Sequence, residues 1–92
     1  MKRVELIANH SVEEDLFEAF ERRDIVKAFT KIPSVHGAGN STPKRGDHIW
    51  PEENFLLLIF CEDEEAELIS QSVSEVKEHF HGEGIKLFIS QM

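Results

Sequence analysis

Two glycine-containing segments have the residue types best suited to bind an anion. Gly37 and Gly39 stand two residues apart in the first, and Gly82-Glu83-Gly84 forms the second. Glycine lets the backbone approach a ligand closely, and successive backbone N–H groups in a turn attract negative charge. Together with the long loop between them, the two segments predict the binding of a small anionic effector.

Histidines offer a second kind of chemistry. His36 and His48 lie in a long loop, and His79 and His81 stand on either side of Phe80. In an oligomer these four imidazoles could converge on a transition metal together with carboxylates. The competing explanation is that His79 and His81 simply suit the negative end of a helix dipole. A trimeric metal-binding or metal-responsive module using His36, His48, His79 and His81 is therefore the alternative function.

No pattern in the chain indicates catalysis. Cys61, the only cysteine, adjoins an apolar segment and is expected to be a buried structural thiol. An acylphosphatase-like enzyme would need an arginine in a phosphate-binding loop after the first strand, and Asn9-His10-Ser11 contains none. We therefore expect a binding or regulatory protein with no catalytic residues.

Composition narrows the class further. The 92 residues are expected to form one domain, residues 1–92, with a net charge of −8 from 18 acidic and 10 basic side chains. This balance argues against nucleic-acid binding, which needs clustered Lys and Arg. A single cysteine suits a reducing, cytoplasmic compartment. The N-terminus does not resemble a signal peptide, and no apolar run is long enough for membrane insertion.

Hydrophobic periodicity predicts the elements that position these residues. Strands are predicted at 4–8, 25–32, 55–60 and 85–89, and helices at 12–23 and from 63 to about 80. A capping box between Ser11 and Glu14 is expected to begin the first helix, and Asp63 is expected to cap the second. The order is a ferredoxin-like βαββαβ α+β sandwich, with a four-stranded antiparallel sheet and two helices.

The connection between the second and third strands is unusually long. It spans residues 33–51, and connections beyond about 12–15 residues are uncommon in compact domains and often functional. Lys44 and Arg45 make a basic spot in an acidic chain, and Trp50 is the only tryptophan. Because Arg and Trp are enriched at interface hot spots, we expect a partner-binding loop that uses Lys44, Arg45, His48 and Trp50.

In these features the chain resembles the PII signal-transduction family over nearly its whole length. Val35-His36-Gly37-Ala38-Gly39 is similar to the family's Val-x-Gly-x-Gly stretch before the long T-loop. Gly82-Glu83-Gly84 resembles the Gly-Asp-Gly of its B-loop, and Asp63-Glu64-Glu65 begins a helix directly after the central strand. Ser41 stands where nucleotide-binding members carry Gln. Ile85 stands where they carry Lys, with Lys86 one residue later.

The resemblance implies a cytoplasmic homotrimer that takes part in signalling and nitrogen regulation. Its effector, an adenine nucleotide among the candidates, would bind between subunits. The contacts so implied are Gly37, Gly39, Ser41, Gly82, Glu83, Gly84 and Lys86. Residues 37–51 would then regulate a target enzyme, transporter or channel by changing shape with the effector.

Overall fold

One antiparallel sheet organises the structure, a computed structural model that describes residues 1–37 and 53–92. Its strands are β1 (Lys2–Asn9), β2 (Thr30–Val35), β3 (Asn54–Cys61) and β4 (Ile85–Gln91), and its two helices are α1 (Glu13–Arg22) and α2 (Asp63–His79). The strand order is β2-β3-β1-β4. This arrangement confirms the predicted ferredoxin-like βαββαβ fold.

The core lies between the two helices and one face of the sheet. Alternate residues of the central strands point into it, so that Leu6 on β1 is paired with Leu57 on β3 and neither has any exposed surface. From the helices, Leu16 and Phe20 of α1 and Ile69 of α2 fill the space above them and are almost fully buried. The predicted apolar faces of both helices are therefore the faces that pack.

No helix of residues 1–37 and 53–92 packs on the other face of the sheet, which we call the open face. Its positions alternate with the buried ones, as the period of two in a strand requires. Phe60 and Phe88 are 50% and 54% exposed, and Ile32 is 47% exposed. The open face comprises apolar residues (Ile7, Ile32, Leu56, Leu58, Phe60 and Phe88), charged residues (Arg3, Glu5 and Lys86), Thr30 and Ser90. About half of the surface of Ile32, Phe60 and Phe88 thus remains in contact with water in a single chain, whereas Ile7, Leu56 and Leu58 are partly buried.

The beginnings of the two helices differ from the predictions. A 3-10 turn over His10–Val12 precedes α1, and its cap is Asn9, whose Oδ1 accepts the Ser11 N–H at 2.9 Å. The Ser11 hydroxyl instead donates to Glu83, so the predicted capping box with Glu14 is wrong. At α2 the cap position belongs to Glu62, and its side chain makes no capping hydrogen bond within the described residues. Asp63 lies in the first turn of α2, where its negative charge interacts favourably with the positive end of the helix dipole.

Strand β2 also begins later than predicted. Asp24 and Val26 have φ values of 55° and 59°, which an extended strand cannot contain. Val26 is nevertheless 5% exposed, and its N–H donates to Glu65 Oε2 at 3.3 Å, so burial and this bond hold an uncommon conformation. The strand then runs through Pro33, which an edge strand tolerates, and its register shifts between Ile32 and Val35.

An ion-pair cluster joins the two helices. Arg23, which follows α1, donates from Nη1 to Glu75 Oε2 at 3.1 Å and to the buried Ser72 hydroxyl at 3.3 Å on α2. The hydrogen bonds from Arg23 lower the pKa of the Glu75 carboxyl below its usual value. These bonds hold the end of α1 against the middle of α2.

Candidate effector site

Gly37 and the turn Gly82-Glu83-Gly84 lie at one end of the sheet. Asn9 pairs with Asn54 and Ala8 pairs with Ile85, so β1 ends where β3 and β4 begin. Val35 also pairs with Asn54, so β2 ends there too. We call this the loop end. Gly37 follows β2, and Gly82-Glu83-Gly84 precedes β4, so the order of the elements brings Gly37 and this turn to the loop end.

The turn at 82–84 is held by contacts from neighbouring elements. Gly82 has a φ of 97°, a conformation that favours glycine. Glu83 donates its N–H to the Phe80 carbonyl at 3.3 Å, and the Gly84 carbonyl accepts the Asn9 N–H at 3.0 Å. The Ser11 hydroxyl donates to Glu83 Oε2 at 2.9 Å. The turn is therefore fixed between the end of α2 and the connection from β1 to α1.

Space is available at the glycines. A Cβ added at Gly37, Gly82 or Gly84 would meet no atom of the described residues within 4 Å. Packing against the described residues therefore does not explain glycine at 37 and 84, whereas the backbone conformation explains it at 82. Open backbone at the loop end is the geometry that a close-lying anion requires.

A single chain does not bring all the predicted contacts together. Because β3 and β1 lie between the two edge strands, the ends of β2 and β4 are about 14 Å apart across the sheet. Gly37 thus lies at one edge and Gly84 at the other. Lys86 alternates with the buried Ile85, lies on the open face and is paired with Ile7. The remaining predicted residues fall outside the described residues: Gly39 and Ser41 of the effector site, and Lys44, Arg45, His48 and Trp50 of the partner loop.

Sequence reasoning missed a polar cluster beside the loop end. His10 Nδ1 lies 2.9 Å from Glu13 Oε1, and the Lys31 ammonium bonds Glu13 Oε2. The ring of Phe55 lies against both partners of Glu13, with its centroid 5.6 Å from that of His10 and 5.8 Å from Lys31 Nζ. The backbone N–H of His10 also donates to the backbone carbonyl of Glu53, the residue that precedes β3. The spacing of three residues between His10 and Glu13 could have indicated their contact from the sequence. No local pattern indicated that Lys31 would join them.

The cluster determines the acid titration of Glu13. Partial burial acts to raise the pKa of this carboxyl, but hydrogen bonds from Lys31 and His10 outweigh it, and the pKa is lowered from its usual 4.5. A carboxyl whose pKa is lower in the folded state than in the unfolded state stabilises the fold when the pH is above its unfolded-state pKa. This stabilisation is lost as the pH falls through the folded-state pKa.

We expect Glu13→Gln to destabilise the protein at pH 7 by about 1 kcal/mol, because Lys31 and His10 lose a charged acceptor. The difference from the wild type should shrink as the pH falls through the lowered folded-state pKa, where the wild-type carboxyl becomes protonated. Thermal unfolding over a series of acidic pH values measures this effect, with the exposed neighbour Glu14→Gln as control. A loss that does not change with pH would show that the Glu13 charge is not responsible.

The described histidines do not form a metal site. His36 follows β2 at one edge of the sheet, whereas His79 ends α2 and His81 precedes β4 at the other edge. Within residues 1–37 and 53–92 no three His, Cys, Asp or Glu side chains are grouped to hold a metal ion, and His48 lies outside these ranges. The metal-binding alternative is therefore not supported by the described residues.

Cys61 is buried, as predicted. Burial raises the pKa of its thiol, and the nearby carboxylates of Glu65 and Glu62 raise it further. The thiol is therefore protonated at neutral pH and is a poor nucleophile.

The antiparallel βαββαβ sheet with a glycine turn before its last strand defines a class of ferredoxin-like proteins. Within that class, residues 1–92 match the family model of the nitrogen regulatory protein P-II, and the chain belongs to this family. The predicted resemblance is confirmed. PII proteins are regulatory proteins. No curated protein matches the sequence. None of the helices in the described ranges has the length and apolarity needed to cross a membrane.

Solved structures of PII-like proteins share the fold. The Thiomonas intermedia protein CPII bound to ADP and bicarbonate has a TM-score of 0.70 at 17% identity, covering 97% of this chain and 82% of CPII. CPII bound to ADP, AMP and bicarbonate has a TM-score of 0.69 at 15% identity, and the match covers 99% of this chain and 88% of CPII. A PII-like signaling protein from Thermus thermophilus has a TM-score of 0.63 at 24% identity, and the match covers 97% of this chain and 83% of that protein.

Proposed function

We propose that this chain is a PII-like regulatory protein that binds a small anionic effector, an adenine nucleotide, at the loop end. The observation that carries the proposal is the open backbone at Gly84 and Gly37, where an added Cβ would meet no atom of the described residues. Similarity to CPII, which is bound to ADP and bicarbonate, supports ADP as the first ligand to test.

The proposed site lies between subunits of a homotrimer. Three features support this placement. The contacts at opposite edges of one sheet are too far apart to surround the phosphates from one side, and Lys86 lies on the open face. An open face of large apolar side chains is also the surface that a 92-residue chain has most reason to cover, because a small domain buries only a modest share of its surface.

The regulatory output is proposed to pass through residues 37–51 to a target protein in the cytoplasm. The support is that Gly37, where this segment begins, and Glu53, two residues after its end, both lie at the loop end, next to the proposed effector site. Lys44, Arg45 and Trp50 supply the chemistry for contact with an acidic or apolar partner surface.

Gly84→Ala tests the effector site without disturbing the fold, since the added methyl group meets empty space. The wild type should gain thermal stability with ADP and bicarbonate, by about 2.7 kcal/mol at 100 times the dissociation constant. We expect Gly84→Ala to unfold at the wild-type temperature without ligand and to lose most of this gain. Ser74→Ala, on the exposed side of α2, is the control. Absence of any response of the wild type to ADP, AMP or bicarbonate would refute the adenine-nucleotide assignment.

A further inference from the structure

A groove between the two helices opens on the helical layer, on the side of the sheet opposite the open face. We call it the helix groove. It has a volume of about 450 Å³ and is lined by Asp15, Glu18 and Arg22 of α1 and by Glu75, Val76, His79 and Phe80 at the end of α2. Because both helices lie on one side of the sheet, a molecule seated on the open face would leave the helix groove exposed.

One end of the helix groove is closed by ion pairs. Arg22 Nη2 lies 3.5 Å from Glu75 Oε2, and Arg23 donates to the same carboxylate. The hydrogen bonds from Arg23 and the charges of both arginines lower the pKa of Glu75, so its carboxylate stays ionised. The cations at this end are thus already paired within the chain.

The other end of the helix groove combines carboxylates with apolar surface. It lies nearer the loop end, because α1 begins there and α2 ends there. Asp15 and Glu18 are three residues apart on α1 and form no ion pair among residues 1–37 and 53–92. Beside them Val76 is buried and Phe80 is 36% exposed. This end therefore suits a ligand that carries a positive charge on an apolar stem.

A bare metal ion fits this end poorly. Asp15, Glu18 and His79 all line the helix groove, yet no three His, Cys, Asp or Glu side chains in the described part of the chain are grouped to hold a metal. Carboxylates that do not converge on one point are better matched by a larger cation with several donors. The arginine guanidinium is such a cation, since its fork of N–H groups bonds carboxylates and its plane stacks on aromatic rings.

The charge of the helical layer favours the same occupant. The net charge of the chain is −8, and most of the acidic residues lie in α1 and α2. A surface of one sign attracts a partner of the opposite sign and speeds their encounter. The helical layer therefore favours the approach of a basic protein segment.

We propose that the helix groove docks an arginine-bearing basic segment of a partner protein, with the guanidinium at Asp15 and Glu18 and the aliphatic stem against Phe80. This contact goes beyond the proposed function, whose output passes through residues 37–51. The Phe80 carbonyl accepts the Glu83 N–H at 3.3 Å, so the docked segment would lie next to the turn of the proposed effector site. Docking itself requires neither effector nor association of copies, so each can be tested separately.

Fluorescence anisotropy of a labelled hexapeptide of alternating arginine and leucine, titrated with the full chain, tests the charged contact. A peptide with citrulline in place of arginine has the same length without the charge, and it should bind at least about fivefold more weakly. Asp15→Asn with Glu18→Gln should weaken the arginine peptide by a similar factor. Glu64→Gln with Glu67→Gln removes the same charge from exposed positions of α2 outside the helix groove, and it should change the affinity by less than about twofold.

The apolar contact is tested by Phe80→Ala. We expect it to weaken the arginine peptide by at least about fivefold, because the stem and the guanidinium both lose the ring. Phe29→Ala removes a similarly exposed phenylalanine outside the helix groove and should keep the wild-type affinity. Circular dichroism of every variant establishes that the fold is retained.

Three results would overturn the inference. The first is equal weakening by the two charge-matched double variants, which would show attraction by net charge alone. The second is an arginine peptide that does not bind, or that binds no better than its citrulline counterpart. The third is displacement of the labelled peptide by spermidine at lower concentrations than by unlabelled peptide, which would assign the helix groove to a free polyamine. None of these results would bear on stabilisation by ADP, which tests the proposed function.

Discussion

Replacing Phe55 with alanine is expected to lower the free energy of unfolding by about 3–5 kcal/mol. Phe55 has no exposed surface, and the imidazole ring of His10 and the ammonium group of Lys31 lie against it. The substitution therefore leaves a cavity in the core and removes the apolar support of the polar cluster at the loop end. A domain of this size has a total stability of only about 5–14 kcal/mol, so the loss is a large share of it. Urea unfolding followed by circular dichroism measures the change.

Phe60→Ala is the matched control for this prediction. Phe60 lies on the same strand, but five residues later, and it points to the open face with half its surface exposed. At protein concentrations where the wild type is monomeric, its removal should cost about 0.5 kcal/mol or less. Equal losses for the two variants would mean that the sheet buries the opposite face from the one described.

Phe88→Lys is expected to dissociate the proposed oligomer while leaving the single chain folded. Phe88 is 54% exposed and stands opposite Glu5, so a lysine there gains an opposite charge across the strands. A second copy seated on the open face would have to bury the new ammonium. We expect the concentration at half-dissociation to rise by at least about 30-fold, the factor that corresponds to an interface hot spot of 2 kcal/mol. Analytical ultracentrifugation measures it.

Phe29→Lys makes the same chemical change at a similarly exposed phenylalanine. Phe29 is 45% exposed and lies before β2 against Phe17 of α1, away from the open face. The Phe29→Lys variant should keep the oligomeric mass of the wild type in solution. Comparable dissociation of both variants would show that association does not use the open face. If the effector binds between subunits, Phe88→Lys should also lose the stabilisation by ADP, and Phe29→Lys should keep it.

Local patterns were enough to predict most of the elements. Strands β1, β3 and β4 follow from short apolar runs, and α2 follows from the spacing of Ala66, Ile69, Val73 and Val76, all of which are buried. The glycines at 82 and 84 marked the end of α2 and the turn before β4. These signals are local because a helix or strand buries one face, and the period of its apolar residues records which face that is.

Contacts between distant parts of the chain decided what the sequence could not. The apolar run from Ile25 predicted a strand, but the positive φ of Val26 and the acceptance of its N–H by Glu65 keep these residues out of the sheet. Ser11 had the pattern of a capping residue, yet Glu83, 72 positions away, accepts its hydroxyl.

The same distinction applies to the candidate site. Residue types alone indicated glycines that could admit an anion and an acidic protein unsuited to nucleic acid. Strand order, which depends on how two β-α units interleave, placed Gly37 and Gly84 at opposite edges of one end. It also placed Arg3 and Glu5 together within an apolar face, where alternation along β1 sets their side but β3 and β4 supply their neighbours. Sequence periodicity fixes the face of a strand on which a residue lies, whereas only the tertiary structure fixes what lies beside it.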